Sequence, residues 1–172
     1  GNKFSLALLS DGTIKAWGDN TYGQLGDGTT TQRLTPVSVS GITNAVAVAA
    51  GPPHALALLS DGTIKAWGAN AYGQLGDGTV TSPRLTPVTV CNTGAAAGTC
   101  DSNPLANAVA IAAGGTSYDD FSFALLSNGT IKAWGNNENG QLGDGTVTRR
   151  TTPVTVCNTG AAAGTCDSNP LA

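Results

Sequence analysis

Residues 6–29 read LALLSDGTIKAWGDNTYGQLGDGT, and the same run returns almost letter for letter at 56–79 and more loosely at 124–146. Trp17, Trp67 and Trp134 mark one point in each copy, and Asp27, Asp77 and Asp144 another, at intervals of 50 and then 67 residues. The longer interval comes from added loops. A period of this size belongs to propeller blades, solenoid turns or arrays, in which one supersecondary unit cannot bury its own apolar faces and depends on its neighbours.

Inside each copy, two apolar runs flank Asp11-Gly12, Asp61-Gly62 or Asn128-Gly129, dipeptides suited to a two-residue hairpin turn with positive φ. Such a turn sets Leu9 opposite Ile14, Leu8 opposite Lys15, Ala7 opposite Ala16 and Leu6 opposite Trp17, and cross-strand partners share a face. One face then carries Leu6, Leu8, Lys15 and Trp17, and the other Ala7, Leu9, Ile14 and Ala16. Both are mainly apolar, so the sheet expects cover on two sides, as a blade between two blades would have.

After the hairpin comes a glycine-punctuated loop, then Thr35 to Val39, a short strand expected to carry Pro36 near its start where no ladder donor is lost. The alternating small and β-branched residues of Ala45 to Ala50, and of Ala108 to Ala113, suit a strand in a crowded inner rim. The units are 1–50, 51–113 and 114–172; the last two carry a cysteine loop, and the rim strand that would follow the third is missing. The expected fold is all-β: three tandem four-stranded propeller-type blades in an open arc or partial β-propeller, with about eleven strands.

Composition narrows the function. Charged residues make up 11% of the chain, far below the roughly one quarter usual in soluble domains. Four Lys and four Arg are scattered and the net charge is -3, which excludes the clustered basic face of a nucleic-acid binder. No apolar run reaches the roughly 18 residues of a membrane helix. The chain opens without Met, as a processed product or a segment of something longer would.

The four cysteines form two copies of one cassette, Cys91 with Cys100 and Cys157 with Cys166, each enclosing NTGAAAGT. Eight small residues let the ends meet, so a local disulfide is expected in each. The rival is zinc, which prefers two to four residues between paired cysteines and would need all four thiolates from separate blades. Paired cysteines with little charge favour an oxidising, extracellular setting.

The run HALALLSDGTIKAWGANAYGQLGDGT from His54, followed by TPVTV and AVAIAAG, resembles the repeat of the regulator of chromosome condensation family. The resemblance covers essentially the whole chain and implies a β-propeller, usually of seven blades; the secreted bacterial type is the branch expected. Family members include nuclear exchange factors for a small GTPase, plant light receptors and a secreted β-lactamase inhibitor, so the likeness implies fold and leaves activity open. Three near-identical repeats depart from that pattern: they do not close the usual ring, and they lack the varied loops of a specific binding face.

Few residues suit catalysis. One His, one Glu and Asp residues placed mostly in turns equip the chain poorly for acid-base work, so no enzyme, cofactor or metal is expected. Asp19 and Asn20 with Asp27, and their counterparts, serve as turn formers or, as the sharper alternative, as calcium ligands. His54 is read as a loop or packing residue, and the tryptophans as inter-blade packing. The residues unique to the third unit are the candidates for specificity: Tyr118, Asp119, Asp120, Arg149 and Arg150. The function expected is an extracellular or cell-surface structural protein that joins copies of itself head to tail into a ring or filament, or joins further blades of a longer chain. The alternative is a binding module for another protein or a glycan.

Overall fold

The computed structural model describes residues 2–96, 98–116, 119–158 and 166. Among them there is no helix, and eleven strands form three antiparallel sheets. The first sheet is β1 (Phe4–Leu8), β2 (Ile14–Gly18) and β3 (Arg33–Ser38). The second runs β4 (Ala45–Ala50), β5 (His54–Leu59), β6 (Ile64–Gly68) and β7 (Arg84–Thr89) in that order. The third repeats it with β8 (Ala108–Gly114), β9 (Phe121–Leu126), β10 (Ile131–Gly135) and β11 (Arg150–Thr155). Each rim strand lies at the end of one sequence unit but pairs with the hairpin of the next: β4 with β5, and β8 with β9. The sheets are therefore offset from the sequence units, and the units are tied together by strand pairing as well as by packing.

The hairpin register differs by one residue from the sequence reading. Leu8 pairs with Ile14, Leu6 with Ala16 and Ser5 with Trp17. The turn has three residues: Leu9 donates to Thr13 O at 2.9 Å, Gly12 donates back to Leu9 O at 3.0 Å, and Gly12 takes φ +79°. The reason lies in Asp11, whose Oδ1 accepts from Thr13 N at 2.9 Å and from Thr13 Oγ1 at 2.7 Å. Those bonds hold Asp11 out of the positive-φ region, so glycine alone supplies the left-handed residue and the loop closes as a type I turn with a bulge. A slip of one residue exchanges faces. Phe4, Leu6, Leu8, Ile14 and Ala16 now share one apolar side, and Ser5, Ala7, Lys15 and Trp17 the other.

The proline-bearing strand also begins earlier than expected, at Arg33, so Pro36 lies inside it. It is tolerated because β3 is the outer edge of its sheet and its pairing is irregular between Ala16 and Gly18.

Two cores follow from the alternation. The apolar side of β1 and β2, with Leu25, Val39 and Ile42, packs against Ala55, Ala57, Leu59 and Trp67 of the second sheet. The opposite side of the second sheet, with Leu56, Leu58, Ile64 and Ala66, packs against Ala124 and Trp134 of the third. Every residue of β5 is buried, as a strand covered on both faces must be.

Candidate functional site

Each core is centred on a tryptophan seat built by the glycine loop of the preceding blade. Trp67 Nε1 donates to Gln24 O at 2.9 Å, and Trp134 Nε1 to Gln74 O at 2.9 Å. The rings lie over Gly26 and Gly76, where an added Cβ would meet the indole at 2.9 and 2.8 Å. Glycine is required there twice over, because both positions also have positive φ, +65° and +68°. Both tryptophans are fully buried, which confirms them as inter-blade packing.

The third copy of this seat, Gln141-Leu142-Gly143, holds no indole. It opens instead into a cleft of about 450 Å³ with apolar walls that include Phe123, Leu125, Ile131, Leu142 and Val156. At the other end of the arc, Trp17 is partly exposed and has no carbonyl acceptor among the described residues.

The loop that forms each seat is braced by a repeated polar network. Asn20 Nδ2 donates to Asp27 Oδ1 at 3.2 Å and to the carbonyls of Thr29 and Thr31, while its Oδ1 accepts from Leu25 N. Asp27 Oδ1 also takes the N–H and hydroxyl of Thr29, and Oδ2 takes Arg33. Burial opposes the charge of Asp27, but Thr29 and Arg33 outweigh it and hold the carboxyl below its ordinary value. The same set returns as Asn70, Asp77, Thr79 and Arg84, and as Asn137, Asp144, Thr146 and Arg150. The carboxylate oxygens considered as calcium ligands are thus engaged by N–H and O–H donors. Among the described residues, no three His, Cys, Asp or Glu side chains gather where they could hold a metal ion.

The disulfides form as expected, Cys91 with Cys100 at a Cα separation of 4.3 Å and Cys157 with Cys166 at 4.5 Å. Each lies against the loop network: the Cys100 and Cys166 sulfurs sit 3.3 Å from the carbonyls of Asp77 and Asp144. The repeated lysines lie on β2 and β6, beside the edge strands, and Lys15 and Lys65 donate to Ser38 and Thr89 on those neighbours.

The described third-unit candidates contact different partners. Tyr118 lies outside the described residues. Asp119 contacts Thr116 at the surface. Asp120 is buried, and its Oδ2 accepts from Gln74 Nε2 at 3.2 Å. Arg149 reaches the Ala71 carbonyl of the second blade at 2.9 Å. Arg150 occupies the place of Arg33 and Arg84 and pairs with Asp144, so it braces its own loop. The equal spacing from Asp27 to Arg33 and from Asp144 to Arg150 was a signal in the sequence.

His54 begins β5 and is fully buried. Its Nε2 lies 3.0 Å from Ser122 Oγ, which itself donates to Gln74 O at 2.9 Å. With that hydroxyl proton committed, Nε2 must carry the imidazole proton, and burial pushes the pKa down to about 3. The ring is a neutral strut across the second joint. Its serine partner, on another blade, was beyond the reach of local spacing.

A profile described as the regulator of chromosome condensation (RCC1) repeat matches residues 11–58, 61–118 and 128–163. A second profile of the same description matches 45–74 and 108–141. Among solved structures, human WBSCR16 superposes with a TM-score of 0.73 at 24% identity, covering 90% of this chain and 36% of that one. Yeast RCC1 (Prp20) bound to Kap60 gives 0.75 at 23% identity over 92% and 36%. Prp20p from Saccharomyces cerevisiae, characterised with its binding to Gsp1p and histones, gives 0.72 at 24% over 92% and 37%. The chain therefore spans little more than a third of the length of these propellers.

Proposed function

The chain belongs to the regulator of chromosome condensation (RCC1) repeat family, and from that premise we propose that it is a protein-binding propeller segment whose principal contact is the addition of another blade of its own kind. The occupant of the open seat on the third blade is the leading face of a second copy, with Trp17 donating to Gln141 O as Trp67 does to Gln24 O and Trp134 to Gln74 O. One observation carries this reading. The same seat is built three times and filled twice, and the chain's one unseated indole lies on the face that would fill the third. A contact of this kind is heterologous, so it closes into a ring or extends as a filament according to its rotation.

The same geometry supports a binding role. Asp27, Asp77 and Asp144 are spent on bracing loops, and His54 is a buried strut. Two disulfides suit an oxidising compartment, which supports an extracellular setting. Electron microscopy of the non-reduced chain tests the reading: rings or fibres are expected, and isolated three-blade arcs at high concentration would overturn it.

A second reading, a site for a different protein on the loop-bearing side, is favoured by the cleft beside Asp120.

A further inference from the structure

On the loop side of the first two blades lies a cleft of about 470 Å³, lined among others by Asp19, Tyr22, Ala69, Tyr72, Gln74 and Asp120. Its chemistry departs from the internal repeat at one point. In the first blade Gln24 Nε2 donates to Asp19 Oδ2 at 3.1 Å, and in the third Gln141 Nε2 donates to Asn136 Oδ1 at 3.0 Å. The equivalent residue of the second blade is Ala69, which offers no acceptor and leaves space. Gln74 turns instead to Asp120 of the third blade, at 3.2 Å.

That exchange brings a carboxyl into a place where only one of its oxygens is used. Asp120 is 1% exposed, and its Oδ1 has no partner among the described residues. Buried polar atoms are almost always satisfied, and a carboxylate oxygen left over beside a cleft asks for a donor from outside. The charged and titratable groups around it are Asp19, Lys3, Tyr22 and Tyr72 across the cleft and Asp119 beside it in sequence. Two carboxylates and two tyrosine rings outweigh one lysine, which favours a cation over an anion or a neutral polyol.

We propose that this cleft receives the ammonium group of a lysine side chain on a partner protein, with Asp120 Oδ1 as the principal acceptor and Asp19 as the second carboxylate. Burial pushes the Asp120 carboxyl up to about 7, Gln74 pulls against that, and Asp119 adds to it. The free cleft therefore holds a proton on Asp120 at mildly acid pH, and the incoming ammonium displaces it to solvent. The cleft lies within one chain and does not involve Trp17, so this site and the head-to-tail contact stand or fall separately.

The test is calorimetric titration of the intact chain with Nα-acetyl-lysine methylamide at pH 6 and pH 8. Saturable binding is expected, tighter by about tenfold at pH 8 because a group titrating near 7 changes its charged fraction by that factor while lysine stays ionised. The norleucine analogue, which lacks only the amino group, should not bind. Asp120→Asn should abolish binding without unfolding the chain, since Asn136 already shows that an asparagine accepts from the paired glutamine; at pH 8 Asp119→Asn should bind as the unaltered chain does. Absence of binding at pH 8, equal binding of the norleucine analogue, or undiminished binding to the Asp120→Asn variant would overturn the proposal.

Discussion

The indole N–H of Trp134 donates to the main-chain carbonyl of Gln74 at 2.9 Å, across the joint between the second and third sheets. Trp67 meets Gln24 at the same distance across the first joint. A polar tip satisfied by a backbone carbonyl lets a large apolar ring be buried whole, and the glycine beneath it sets how closely the blades approach. The joints of the arc are thus specified by two residues per blade, a tryptophan on one face and a glycine on the other.

Gly76→Ala should destabilise the chain more than Gly41→Ala. Both positions have positive φ, +68° and +69°, so the backbone strain is shared. Only at Gly76 does the new methyl meet the Trp134 ring, at 2.8 Å, whereas nothing lies within 4 Å at Gly41. The difference in urea-unfolding free energy is expected at about 1–3 kcal/mol, the usual cost of overpacking. Equal values would remove the seat from the account.

Arg84→Ala should cost about 1–3 kcal/mol, as removal of one partner from a mostly buried pair does when the surviving group keeps some of its bonds. Asp77 is 5% exposed and would keep Asn70 and Thr79 but lose the guanidinium 2.8 Å from its Oδ2. Thermal denaturation reads the loss; Lys3→Ala, at an exposed residue, serves as the control.

His54 and Asp120 should give opposite pH slopes. The folded pKa of His54 is lowered to about 3, so the unfolded chain takes up its proton first as pH falls below about 6.5, and stability drops toward acid. The folded pKa of Asp120 is raised to about 7, so the unfolded chain loses its proton first as pH rises above about 4, and stability drops toward neutrality. Between pH 4 and 6.5 the two effects oppose each other. His54→Phe, the residue found at the equivalent places Phe4 and Phe121, should leave stability falling with pH across that window. Asp120→Asn should leave it rising. Urea midpoints at pH 4.5 and 6.5 decide the sign.

Replacing Cys91 and Cys100 together by Ala should lower stability by about 2–3 kcal/mol, the loop-entropy value for a closure of this length. The cross-link spans nine residues and leaves the second disulfide in place. Chemical denaturation of the variant against the unaltered chain measures it.

The repeat, the hairpin and the paired cysteines could be read from the sequence because each is a local pattern stated more than once. Register could not, because Asp-Gly suits a two-residue and a three-residue loop equally. Thr13, which fixes the Asp11 side chain, decides between them. The bracing arginines were present in the spacing Asp27 to Arg33 and Asp144 to Arg150, yet an insertion around Ser82 and Pro83 displaces Arg84 by one residue and obscures the match. The cleft depends on an absence, Ala69 where the other blades carry Asp19 and Asn136, and on the fold bringing Asp120 to the glutamine that this leaves unpaired. His54 and Ser122 lie 68 residues apart and meet only because their blades are neighbours.

The most direct test of the blade-to-blade claim is sedimentation velocity of the non-reduced chain over a wide concentration range, beside the Trp17→Ala variant. Trp17 is the one indole outside a seat, so its removal leaves both internal joints whole. The mass should climb with concentration beyond a single chain, and the variant should remain at one. An unaltered chain that stays single throughout, or a Trp17→Ala chain that associates equally well, would contradict the claim.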